Sequence, residues 1–349
     1  MSDDPFLTGL DDKIPFFRVF AQRLRDGRSS RSGNPITAGH LADEIYHVVK
    51  TFQELGAKDP RRDDDGRVDV RYKNLITAYR NEDPAPTRVK PIPIQVLHQA
   101  QRTVSLCTPG AADYAVMDLI WIAFFFLLRP GEYVLGSETT PLVVQDVSLM
   151  VNAHKIDPFL CPLEQLFQVT HATITFPDQK NRVKGETIGH ACSGQTLACP
   201  VRALVRRLHC LRLDGAPVTT PLCAYYVQGR MYTVKHAQLA AIIKTAAASL
   251  PTLNYLPSEY GPRSLRSGGA MALLCGQIDT DIIKLVGRWK SDAIFRYLHA
   301  QALPVVSNLS RTMVAHGQFT LLPGSNVPPT ALPLIQQYDH LAQQVDLST

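Results

Sequence analysis

Apolar residues recur at helical spacing from Ile36 to Leu55. Leu41, Ile45, Val48, Val49, Phe52 and Leu55 fall on one face, Thr37 stands where an N-cap belongs, and Gly56 ends the run. A second helix is predicted around Tyr72, Leu75, Ile76 and Tyr79, with Arg71, Lys73 and Arg80 on its polar side. The segment Asp83–Pro93 then carries prolines at 84, 86, 91 and 93, which makes it an extended, semi-rigid boundary. Beyond it the pattern predicts a helix from about Ile94 and an almost wholly apolar one from Ala112 to Leu128. Leu142–Val151 alternates and is rich in valine. With His171–Phe176, the polar turn that follows, and a return through Thr187 and Ile188, it predicts a small antiparallel sheet.

Further helices are predicted over Pro200–Leu213, Val234–Leu250 and Ala331–Gln344, the last carrying Leu332, Leu334, Ile335, Tyr338 and Leu341. The expected organisation is a polar, flexible arm (1–35), a helical domain (36–82), the proline-rich linker (83–93), a larger mixed domain (94–315) and a tail with a partner-docking helix (316–349). The fold class is mainly α with a small antiparallel β-sheet.

Composition supports a globular chain. Of 349 residues, 45% are hydrophobic and 19% charged, and the net charge of +5 with a pI near 8.8 is compatible with a nucleic-acid partner without requiring one. The longest apolar run, Leu119–Leu128, is far short of the ~20 residues a membrane span needs. Seven scattered cysteines and the acidic start Met1–Pro5, with no secretory pattern, point to a reducing compartment and away from secretion. His190, Cys192, Cys199, His209 and Cys210 lack the paired knuckle spacing of a zinc site, so no metal is expected.

The chemistry concentrates between Tyr260 and Gln301. Pro262 fits a helix entrance, placing Arg263, Ser264 and Arg266 in a first turn whose unpaired N–H groups and dipole favour an anion. Arginine's planar fork matches two phosphate oxygens. Gly268 and Gly269 cost helix stability, so they mark a place where another backbone packs closely. Tyr297 is the candidate nucleophile. Elsewhere, Arg129 ends the apolar helix within L-L-R-P-G-E. Arg202 and Arg206 share a helical face, as a candidate DNA contact. Arg88 and Lys90 in the linker, and Lys235 and Lys244 on the later helix, are further candidates for phosphates.

The wording S-L-R-S-G-G-A followed by G-R-W-K-S-D and a tyrosine resembles the second box of the tyrosine recombinase (phage integrase) family, and most of all the variants carried by eukaryotic Crypton-type mobile elements. The sequence departs from the family in two places. Arg263 stands at the usual histidine position, and Trp289 to Tyr297 is about one residue shorter than in phage integrases.

The resemblance implies a helical core-binding domain followed by a catalytic domain that breaks and rejoins DNA without ATP, metal or other cofactor. It implies Tyr297 as nucleophile, Arg129 and Arg266 on the phosphate, Trp289 as an indole donor, Glu132 as supporting carboxylate, and Lys180, with Lys184 as its alternate, as general acid. Implied partners are double-stranded DNA and three further copies in a synaptic tetramer, the free chain being a monomer. Implied residence is the nucleus in a eukaryote, otherwise the cytoplasm with the nucleoid.

Overall fold

The structure, a computed structural model, describes residues 9–10, 12–30, 33–63, 65–84, 90–106, 111–135, 140–178, 183–251, 256–290 and 294–295. The chain divides into two compact units, Met1–Arg88 and Val89–Thr349.

The first unit holds three helices, α1 (Ile14–Arg25), α2 (Ala38–Glu54) and α3 (Val70–Glu82). Thr37 caps α2 by accepting from the His40 amide, and Leu41, Ile45 and Val49 bury its apolar stripe. α1 corrects the sequence reading, which gave residues 1–35 to a flexible arm. Ile14, Phe17, Ala21 and Leu24 recur every three or four residues and are buried against α2 and α3. Arg25 fixes the end of α1 through Asp83, the carbonyl of Ile36 at 3.0 Å and the ring of Tyr79. The helical period of α1 stands in the sequence itself and was passed over for the polar composition of residues 1–35 as a whole.

The second unit is organised around α5 (Ala111–Phe125), whose Leu119, Ile120, Trp121, Ile122 and Ala123 have no exposed surface. A helix apolar all round must be enclosed. α4 (Ile94–Leu106), α8 (Pro200–Leu213), α9 (His236–Ala248) and α10 (Arg263–Cys275) pack against it. Between α5 and α8 lie the short helix α6 (Pro130–Tyr133), β1 (Val147–Val151), β2 (His154–Ile156), the short helix α7 (Leu163–Phe167), β3 (His171–Phe176) and β4 (Glu186–Ala191). These strands form one antiparallel sheet in the order β2-β1-β3-β4, with Thr173 opposite both Ser148 and Gly189. Its buried face presents Val147, Leu149, Ala172, Ile174 and Phe176. A hairpin of β5 (Ala224–Val227) and β6 (Arg230–Thr233), not anticipated from sequence, precedes α9. α11 (Thr280–Gly287), capped by Asp279, follows α10.

The two glycines of α10 set its position. A Cβ at Gly268 would lie 2.5 Å from the carbonyl oxygen of Ile92, and one at Gly269 would lie 2.2 Å from that of Phe124. Only a bare backbone allows α10 so close to the end of α5. Among the described residues no helix is long and apolar enough to cross a membrane.

Candidate active site

α5 and α11 end in the same way, and the site lies between those ends. Leu127 takes a left-handed conformation (φ 49°) and the Leu128 amide reaches back to the carbonyl of Ala123. Arg288 takes it too (φ 58°), with the Trp289 amide on the carbonyl of Lys284. Glycine is the usual residue for such a stop. A side chain there costs roughly 1–2 kcal/mol, and such strain gathers at functional sites.

Arg266, in the first turn of α10, spends this geometry. Its guanidinium donates to the carbonyls of Leu127 and Gly287, the last residues of the two helix ends before or at their left-handed turns. Helix C-termini carry partial negative charge, so the cation is held there by dipole as well as by hydrogen bond. The Trp289 ring lies over the same guanidinium, 4.1 Å from Cζ to ring centroid. The indole reaches that place by folding back across Gly287, where a Cβ would stand 1.5 Å from the ring. The G-R-W wording thus has a steric cause.

Glu132 joins the remaining charges. Arg129 begins α6, and its backbone amide donates to Glu132 Oε2 at 2.7 Å while its Nη1 donates to Oε1 at 2.9 Å. Arg288 Nη2 donates to the same Oε2 at 2.7 Å, and its Nη1 to the carbonyl of Phe126 at 3.2 Å. Its guanidinium also stacks on the Phe176 ring at 3.7 Å, at the end of β3. The Arg288 side chain has no exposed surface, whereas Arg129 keeps 27% of its own. Burial pulls Arg288 down to about 10, opposed by the charge of Glu132. Its Nε–H is buried with no hydrogen-bond partner among the described residues, an omission that costs about 1–3 kcal/mol.

Arg129, Arg266 and Arg288 against one Glu132 leave a formal surplus of two positive charges at the end of α5. Arg266 and Arg288 are both buried, at 3% and 2% exposure, and of the three arginines Arg129 alone keeps open surface. The sequence reading named Arg129 and Arg266, with Glu132 and Trp289, and missed Arg288. Its one signal was its place inside the G-R-W wording.

Arg263 is exposed at the start of α10. Lys235 and Lys244 are exposed on α9 or at its cap, and Lys235 Nζ donates to Thr233 Oγ1 at 3.1 Å. Lys184 is exposed just before β4, and Lys90 pairs with Glu259. On α8, Arg206 binds the buried Asp118 at 2.7 Å and keeps 32% of its side chain exposed, and Arg202 donates to the carbonyl of Phe167. Asp118 needs that partner because it lies within the apolar α5. His190, Cys192, Cys199, His209 and Cys210 do not converge as a metal-binding group among the described residues. Tyr297, Lys180 and Arg88 lie outside the described residues, as does the C-terminal helix expected over 331–344.

No protein-family model and no curated protein matches the chain. Among solved structures it is similar to the XerH site-specific recombinase bound to palindromic difH substrate in a post-cleavage complex. That match has a TM-score of 0.51 and 13% identity, covering 88% of this chain and 72% of that one. The Tn1549 transposon integrase in complex with transposon right end DNA gives 0.47 at 10% identity, over 88% and 86%. The XerA recombinase gives 0.40 at 13%, over 90% and 87%. The XerH likeness is one of fold. The fold is mainly α with a small antiparallel sheet, a helical unit followed by a larger mixed one, and it is like that of the XerH recombinase.

Proposed function

We propose that the chain is a site-specific DNA recombinase that cuts and rejoins duplex DNA through a 3′-phosphotyrosine. The observation that carries this reading is the positive site at the end of α5, where Arg266 and Arg129 are held by carbonyls and a carboxylate before any substrate arrives. Preorganised donors of this kind stabilise the charge that develops on a five-coordinate phosphorus. The Tyr297 oxygen attacks the phosphorus, the bond to the 5′ oxygen breaks, and Lys180 gives that oxygen its proton. The tyrosine proton passes to water or to the phosphate, because Arg263 offers donors and no acceptor. Ligation reverses the sequence on another strand, and the phosphotyrosine conserves the energy of the broken bond, so no ATP enters.

Chain length supports these assignments. Ile294 is buried against Leu127, Ala270 and Ile283, and Tyr297 follows it by three residues in the sequence. Lys180 follows Phe176, on which Arg288 stacks, by four residues.

The finer reading is a mobile-element recombinase of the Crypton type, used for integration or excision, with four copies on two duplexes and a monomer when free. A library of nicked duplexes with a randomised core tests the reaction. The expected result is a detergent-resistant protein–DNA adduct that survives excess chelator. DNA binding without an adduct would favour a relative that binds but no longer cuts, a reading motivated by Arg263. Plasmid relaxation with no recombinant product would favour a type IB topoisomerase-like activity.

A further inference from the structure

We infer that Arg288 is a positioning residue for the phosphate site, which holds Arg129 through Glu132 and ties that pair to the hairpin of β3 and β4. The inference rests on the proposed reaction and deepens it. Three observations carry it. The Arg288 side chain is fully enclosed, so it does not meet the phosphate itself. Its bonds instead reach three separate parts of the site: Glu132 beside Arg129, the carbonyl of Phe126 at the end of α5, and the ring of Phe176 at the end of β3. Its left-handed backbone also delivers Trp289 to Arg266.

Stability gives no reason for this arrangement. A buried ion pair is commonly matched or bettered by apolar residues of the same volume, and this one adds a strained backbone and an unpartnered Nε–H. What the arrangement secures is direction. Without Arg288, Glu132 Oε2 keeps only the Arg129 amide. With it, Oε2 is committed to that amide and to Arg288 Nη2, and Oε1 is left to Arg129 Nη1.

A double-mutant cycle on the full chain separates positioning from general support, because residues acting through one network are not additive. Arg288→Met and Arg129→Ala are made singly and together. Each is measured for the single-turnover rate of adduct formation on the nicked-duplex library, at a temperature where thermal melting shows it folded. The expected result is a loss of ~10-fold or more for Arg288→Met in the wild-type background and little further loss in the Arg129→Ala background. Equal losses in both backgrounds, or none in the first, would overturn the inference. Should Arg288→Met not fold, Arg288→Lys takes its place; it keeps a charge for Glu132 but not the fork or the stack, and its loss should likewise vanish without Arg129. If the wild type gives no adduct at all, the recombinase reading fails separately. The same cycle is then read on affinity for plain duplex DNA, where additive losses would overturn the inference.

Discussion

The Trp289 indole and the Arg266 guanidinium face each other at 4.1 Å, and the arrangement depends on the absence of a side chain at Gly287. Gly287→Ala would drive the ring off both, and overpacking of this kind costs roughly 1–3 kcal/mol. In a Trp289→Ala background the obstacle is gone. The same change should then stabilise the protein, by up to about 1 kcal/mol, because alanine is the better helix former. Thermal or denaturant unfolding of the four proteins checks the reversal of sign. A Gly287→Ala cost independent of residue 289 would show that the glycine serves some other purpose.

Asp118 gives a pH dependence of defined sign. Burial pushes its carboxyl up to about 6 from an ordinary 3.8, with Arg206 and Arg207 pulling the other way. A raised folded value means that the group's contribution to stability is fully present below pH 3.8 and is lost as pH rises through 6. Asp118→Asn removes the titration. Relative to that variant, the wild type should lose on the order of 1 kcal/mol between pH 5 and pH 7. Denaturation midpoints at the two pH values measure it, and a wild type that gains relative to the variant would show that Arg206 outweighs burial.

These two cases show where the sequence was informative. Gly268 and Gly269 stood inside a strong helical pattern, where only close approach of another backbone explains them, and the structure places Ile92 and Phe124 there. The apolar run of α5 could only be enclosed. Spacing reports which residues share a face and not what lies opposite, so it gave no sign that Arg206 pairs with Asp118, a carboxylate distant in sequence. α1 was legible as well, since Ile14, Phe17, Ala21 and Leu24 recur at helical spacing, but the polar composition of the surrounding arm drew the reading away from it. The left-handed turns at Leu127 and Arg288 left no trace, since neither residue type favours that conformation. With them went the burial of Arg288.

Arg263, exposed at the head of α10, sets the expected response to pH. With no imidazole at this position, cleavage should lack an inflection near ~6.5. Arg263→His should change the rate little or lower it if the site is adapted to arginine. A gain of an order of magnitude or more would show a site decayed from one that used histidine. A clear ionisation between pH 6 and 7 in the wild type would mean that another group accepts the tyrosine proton.

The central claim is a covalent bond between this chain and DNA. Tyr297→Phe removes one hydroxyl and leaves the phosphate contacts that dominate affinity. The direct measurement compares wild type and Tyr297→Phe for detergent-resistant adduct on the nicked-duplex library, with binding of the same duplexes measured in parallel. The expected result is an adduct from the wild type, none from the variant, and closely similar binding by both. An adduct that persists in Tyr297→Phe would contradict the assignment of the nucleophile.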